Sequence, residues 1–337
     1  MSWNDESGII ALKFNEYDVM LKWFSKASEF LVKCQVSEPF VVEGLLKGVV
    51  SPWEFSKGKP ILEDFHDTLE ASWVWTFYTM ISDDKRFLNN IGLAWLYVVS
   101  NWDRFIDKNA IYDCTHVMFA GSLYEKAFKI TKYRKLMDHC ASIVADHIEN
   151  RDNADGREYS DPWWAAAILA WYGKHVANPR FLGIAKRFVN KFLVDSEVKF
   201  TRFEDEPKHI GPGNHDFFST NANKAIALIA SYGDSELSRR LLLDNFLPII
   251  PEGFISRHVD ENAWNANVAT AMALAYRVTR NEKFRNIYVA ILNELSNRDI
   301  SNEAALPRHP GFPVKESWVT FFWALAQAAL SIFWPYT

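Results

Sequence analysis

Cysteine is scarce in this chain of 337 residues: Cys34, Cys114 and Cys140 form an odd, sparse set. Such a set reads as reduced thiols and excludes a disulfide framework. Long apolar runs are missing too, since even the stretch from Trp318 to Trp334 is interrupted by Gln327 and Ser331. No membrane span is expected from it. The opening Met1-Ser2-Trp3-Asn4-Asp5-Glu6-Ser7 has no basic segment, and the apolar run that follows is too short for a secretion signal. A soluble, cytoplasmic protein is the expectation. The net charge is -5 with no long basic run, so nucleic acid is not an expected partner. A Walker loop, a G-x-G-x-x-G after a strand and a G-x-S-x-G are all absent, and no strand pattern is strong. No cofactor is expected. Cys114-x-His116 and His139-Cys140 fall on helices of different layers, so no metal site is expected either.

What the chain does have is aromatic side chains and a repeat. Fourteen Trp and 25 Phe exceed what a core of this size needs, so some should line a cavity. Acids stand at 67, 113, 161, 216, 261 and 316, each opening an apolar helical stretch, with gaps of 46, 48, 55, 45 and 55 residues. The best example is Asn214-His215-Asp216-Phe217-Phe218, which leads through Asn221 and Asn223 to a closing Gly233. A period of 45 to 55 residues marks helical hairpins that cannot bury an apolar face singly. Six of them predict an all-α (α/α)6 toroid in one domain spanning residues 1–337.

The inner helices are expected at 66–82, 112–131, 161–173, 216–232, 261–279 and 315–334, and the outer ones at 15–34, 85–105, 133–150, 180–194, 235–247 and 282–297. A short hairpin arm is expected at 197–203. Turns from inner to outer are short, whereas those from outer to inner are long and rich in Pro, Gly and charge. The long loops therefore gather at the amino ends of the inner helices, and residues 35–65 form one that should cover the mouth.

Convergence of six helix amino ends brings carboxylates into one place. An acid in a first helical turn is also favoured simply by the helix dipole. Repulsion and burial among several would leave one protonated and one ionised, the pairing that glycoside cleavage or elimination requires. The candidate proton-transfer residues are Asp113 and Asp161, then Asp67, Asp216, His116 and His215. Candidate substrate contacts are Trp73, Trp163, Trp164, Phe217, Asn221, Trp264, Asn265 and Trp318, with indoles to stack on a sugar and amides to meet its hydroxyls.

This layout resembles the (α/α)6 toroid enzymes, among them unsaturated glucuronyl hydrolases, sugar 2-epimerases, inverting glycosidases and polysaccharide lyases. His66-Asp67 and His215-Asp216 are similar to the His-Asp of the glucuronyl hydrolases, and the resemblance implies a catalytic acid and base at the Asp. Asn214-His215 with Glu252-Gly253-Phe254 is similar to toroid alginate lyases, although the Arg and Tyr of that site have no counterpart at the expected spacing after Phe254. Residues 112–200 resemble linalool dehydratase-isomerase, with His116 near that family's histidine and Asp161 where it has a cysteine. The expectation is a glycoside-cleaving enzyme acting on a small-molecule or oligosaccharide substrate. The alternatives are a terpenoid hydro-lyase, isomerase or cyclase, and a non-catalytic binding toroid. Homo-oligomerisation is left open.

Overall fold

The computed structural model describes residues 14–35, 65–154, 161–197, 199–200, 216–250, 262–310 and 315–336, except for the side chains of 14–15, 104–109 and 216–219. Twelve helices run through these residues. Six form an inner layer: α2 (Phe65–Ser82), α4 (Trp102–Phe128), α6 (Pro162–His175), α8 (Asp216–Tyr232), α10 (Asn262–Thr279) and α12 (Ser317–Ala329). Six lie outside them: α1 (Phe14–Cys34), α3 (Leu88–Ser100), α5 (Arg134–Glu149), α7 (Pro179–Val189), α9 (Glu236–Leu241) and α11 (Glu282–Arg298). Each inner helix packs on the next, and α12 packs back on α2, so the layer closes into a single-domain toroid.

Sequence pattern explains which helix goes where. On α5 the buried residues are Met137, Cys140, Ala141, Val144, Ala145 and Ile148, one stripe at helical spacing, so this helix shows water its other face. On α2 every residue from Phe65 to Thr79 is buried, and on α6 every residue from Pro162 to Gly173. A helix enclosed on all sides must be apolar or must satisfy its polar groups within the protein.

Several expected boundaries move. The break expected between 105 and 112 does not occur: α4 is one helix of 27 residues that begins before the inner layer does. The final helix ends at Ala329 rather than at 334, and the remaining residues turn back into the toroid. Both α7 and α9 run on into π-helical turns, Asn190–Val194 and Leu242–Phe246. Gly233 takes φ +60° directly after α8, the left-handed conformation expected of a closing glycine. Ser82-Asp83-Asp84 is the inner-to-outer turn, with the Asp84 carboxylate accepting from the Arg86 amide at 3.0 Å. The loop expected at 35–65 lies outside the described residues apart from its ends, as does most of the expected hairpin arm. No helix among the described residues is long and apolar enough to cross a membrane.

Candidate active site

The helix α2 opens on a histidine and an acid, His66 and Asp67, whereas Asp113 and His116, expected at a helix start, lie in the middle of α4. On α2, His66, Glu70 and Trp73 fall on one helical stripe, three or four residues apart. That stripe faces α4: His66 Nδ1 lies 3.4 Å from Asp113 Oδ1, Glu70 Oε1 lies 3.0 Å from His116 Nε2, and Trp73 stacks on Phe119. Both members of the Glu70–His116 pair are 1% exposed. The two imidazoles are 5.8 Å apart, and Tyr112 packs on both.

Elementary valence fixes the protons of His116. Its Nδ1 is 2.9 Å from the Tyr112 carbonyl oxygen, which can only accept, so Nδ1 carries a hydrogen. Its Nε2 is left facing Glu70 Oε1 at ion-pair distance, where a further proton can be taken up. An imidazolium can face a carboxylate, or a neutral imidazole can accept from a carboxylic acid. Aromatic faces surround the pair, with Phe321 at 5.8 Å and Trp164 at 6.5 Å from the His116 ring. A dry surround strengthens this electrostatic pairing.

Asp67 is a different case. It is buried, but it lies about 100° around the helix from His66. Burial pushes the thiol of Cys34 on α1 up to about 12, and the charge of Asp67 adds to that rise. Asp67 therefore belongs to the seam between the inner layer and α1.

Asp161 opens α6 by capping it. Its Oδ1 accepts from the amides of Trp163 and Trp164 at 2.8 and 3.3 Å, and its Oδ2 accepts from Asn223 Nδ2 at 2.5 Å. Asn223 Oδ1 in turn accepts from Asn267 Nδ2 at 3.0 Å. An amide chain thus links α6, α8 and α10. Asp113 and Asp161, the expected first pair, enter two separate clusters, one on α2 and α4 and the other on these three helices.

The other candidates distribute around the toroid. Trp164 faces inward, near Phe119 and Phe322, whereas Trp163 turns outward, edge-on to Phe188 of α7 at 4.9 Å. Trp264 meets Trp318 and Phe322, and Trp318 donates to Glu316 at 2.5 Å beneath the Arg308 guanidinium. Asn221 and Asn265 are buried. His215 lies outside the described residues, and so do the side chains of Asp216 and Phe217. Among the described residues no group of three or more His, Cys, Asp or Glu is arranged to hold a metal ion.

At the far end the C-terminal tail forms a floor. The Tyr336 hydroxyl accepts from Trp73 Nε1 at 2.9 Å and donates to the Phe119 carbonyl at 2.7 Å, and its ring stacks on Phe119 and Trp171. Arg277 holds the end of α12 by donating to the carbonyls of Ala329 and Ser331. Trp73 is therefore committed at its polar edge to this floor. Sequence reasoning alone does not single out Glu70 or Tyr336 as site residues. A signal existed for Glu70, which stands one turn after His66 on a stretch with no solvent face.

The fold is a closed (α/α)6 toroid with buried acid–imidazole pairs between its first two inner helices. Solved structures with this architecture match nearly the whole chain. A heparin-specific unsaturated glucuronyl hydrolase is 13% identical, with a TM-score of 0.60 over 94% of this chain and 96% of that one. An inactive variant of an alpha-1,6-mannanase from a Salegentibacter species, solved with alpha-1,6-mannotriose, is 12% identical, with a TM-score of 0.64 over 92% and 99%. Cellobiose 2-epimerase from Bacillus thermoamylovorans is 10% identical, with a TM-score of 0.59 over 92% and 98%. At these identities the likeness establishes the fold. No protein-family model and no curated protein matches the sequence.

Proposed function

We propose that this chain is a carbohydrate-active enzyme that cleaves a glycosidic bond by acid/base chemistry. The observation that carries the reading is the Glu70–His116 pair, buried beside His66–Asp113 where the start of α2 meets the middle of α4. One proton held between Glu70 and His116 supplies a donor for a leaving oxygen, and an ionised Asp113 supplies the base for water or a nucleophile. Asp161, with both oxygens engaged, positions α6 and Asn223. The structural neighbours named for oligosaccharide substrates support the substrate class.

The test is release of reducing ends from unsaturated glucuronyl disaccharides, alpha-1,6-mannotriose and cellobiose. Asp113→Asn and Glu70→Gln should each lower kcat by roughly 10²–10⁴. No product from any of these sugars, or wild-type rates in both variants, would remove the reading. A second reading, dehydration of a terpenoid alcohol, is favoured by one observation, the aromatic faces of Tyr112, Phe321 and Trp164 around His116. Conversion of linalool to a hydrocarbon, followed by gas chromatography, would put it first.

A further inference from the structure

The amide chain across α6, α8 and α10 has a direction, and chemistry sets it. Asp161 accepts on both oxygens, so Asn223 must turn its NH₂ toward Asp161 and its oxygen toward Asn267. Asn267 must then give its own NH₂ to Asn223, which leaves its Oδ1 at the end of the chain. A flipped Asn223 would set its oxygen against a carboxylate. Asn267 is 0% exposed, and its Oδ1 has no hydrogen-bond partner among the described residues.

A second orphan lies on the same inner wall. Trp164 is buried, and its indole N–H likewise has no hydrogen-bond partner among the described residues. Asn267 is one turn from Trp264, whose ring meets Phe322 at 5.8 Å, and Phe322 meets Trp164 at 6.5 Å. One buried acceptor and one buried donor, both unfilled in the free protein, are unfavourable unless something else satisfies them.

We propose that Asn267 Oδ1 and Trp164 Nε1 form a recognition site for the hydroxyls of a neutral sugar ring. The amide oxygen accepts from one hydroxyl, and the indole N–H donates to another hydroxyl or to a ring oxygen. This rests on the carbohydrate reading and deepens it: α2 and α4 carry the proton transfers, and α6, α8 and α10 hold the substrate. The fixed direction of the amide chain makes the site selective for a donor at Asn267, because a ligand with only an acceptor there would meet a second oxygen.

Calorimetric titration with alpha-1,6-mannotriose and cellobiose tests it on wild type, Asn267→Leu and Trp164→Phe. Binding of a sugar should weaken roughly 10- to 100-fold in each variant. Trp164→Phe removes the unpaired donor together with part of a buried ring, so a thermal melt checks that the variant is folded before its affinity is read. If Asn267→Leu fails to fold, Trp164→Phe still decides. Wild-type affinity in both variants, or in Trp164→Phe where it alone folds, overturns the site and leaves the carbohydrate reading standing. Absence of sugar binding by the wild type overturns the site together with the reading beneath it.

Discussion

Burial holds the Asp161 carboxyl above the usual carboxylate range, while Asn223 and the amides of Trp163 and Trp164 pull it back down. A folded-state pKa above the unfolded one means that the folded protein holds this proton more tightly. Its contribution to stability is therefore complete below the ordinary carboxylate pKa and is lost as pH rises through the raised value. Asp161→Asn should flatten that limb of the stability profile as pH rises above the ordinary carboxylate range, as followed by thermal melts. An unchanged slope would mean that the acid is not buried as described. At the Glu70–His116 pair, removing one partner strands the other. His116→Leu should cost about 3–5 kcal/mol in chemical denaturation, well beyond the effect of Glu70→Gln, which keeps a neutral hydrogen bond. Among the candidates, Asp113 and His116 could be picked from the sequence by the spacing of acids along the repeat, although the helix start expected at 112 is absent. Glu70 could not, since an acid inside an apolar helix looks the same in sequence whether it meets water or a histidine.

Between elements, close approach of the two layers depends on small residues. A Cβ on Gly173 of α6 would lie 2.8 Å from the Leu182 backbone nitrogen of α7, which cannot yield easily. On Gly121 of α4 it would strike the flexible Met137 side chain, and on Gly92 of α3 it would meet nothing within 4 Å. Gly173→Ala should destabilise by about 1–3 kcal/mol and Gly121→Ala by less. Gly92→Ala should stabilise by about 0.5–1 kcal/mol. Melting temperatures ranked Gly92→Ala, wild type, Gly121→Ala, Gly173→Ala would bear out the layering; a reversed order of the last two would contradict it. The helices themselves could be read from the sequence, because an outer helix carries one apolar stripe and an inner helix is apolar nearly all round. The exceptions were ends. Nothing at residues 106–111 breaks a helix, so α4 runs through them, and the apolar residues after Ala329 suit a folded-back tail as well as another helical turn.

Across the whole molecule, the tail joins parts that are far apart in sequence. Tyr336 bridges Trp73 and Phe119, and Lys126 of α4 donates to the Pro335 carbonyl at 3.1 Å. Tyr336→Phe keeps the stacking but leaves the Trp73 N–H and the Phe119 carbonyl without this partner. It should lower stability by about 1–3 kcal/mol in urea unfolding, and no change would show that the hydroxyl is replaced by water.

The sequence by itself determined the repeat, the alternation of enclosed and half-exposed helices and hence the toroid, because these follow from the periodicity of apolar residues along the chain. It also placed Asp67 and Asp161 at the starts of α2 and α6, but set Asp113 at a helix start where α4 in fact runs through. Only the tertiary structure decided which of them meet: His66 with Asp113, Glu70 with His116, Asp161 with Asn223 and Asn267, and Asp67 turned toward α1. Spacing along one helix fixes the angle at which a side chain leaves it. The partner waiting at that angle belongs to another helix, and its identity is set by how the two are rotated and raised against each other when the circle closes.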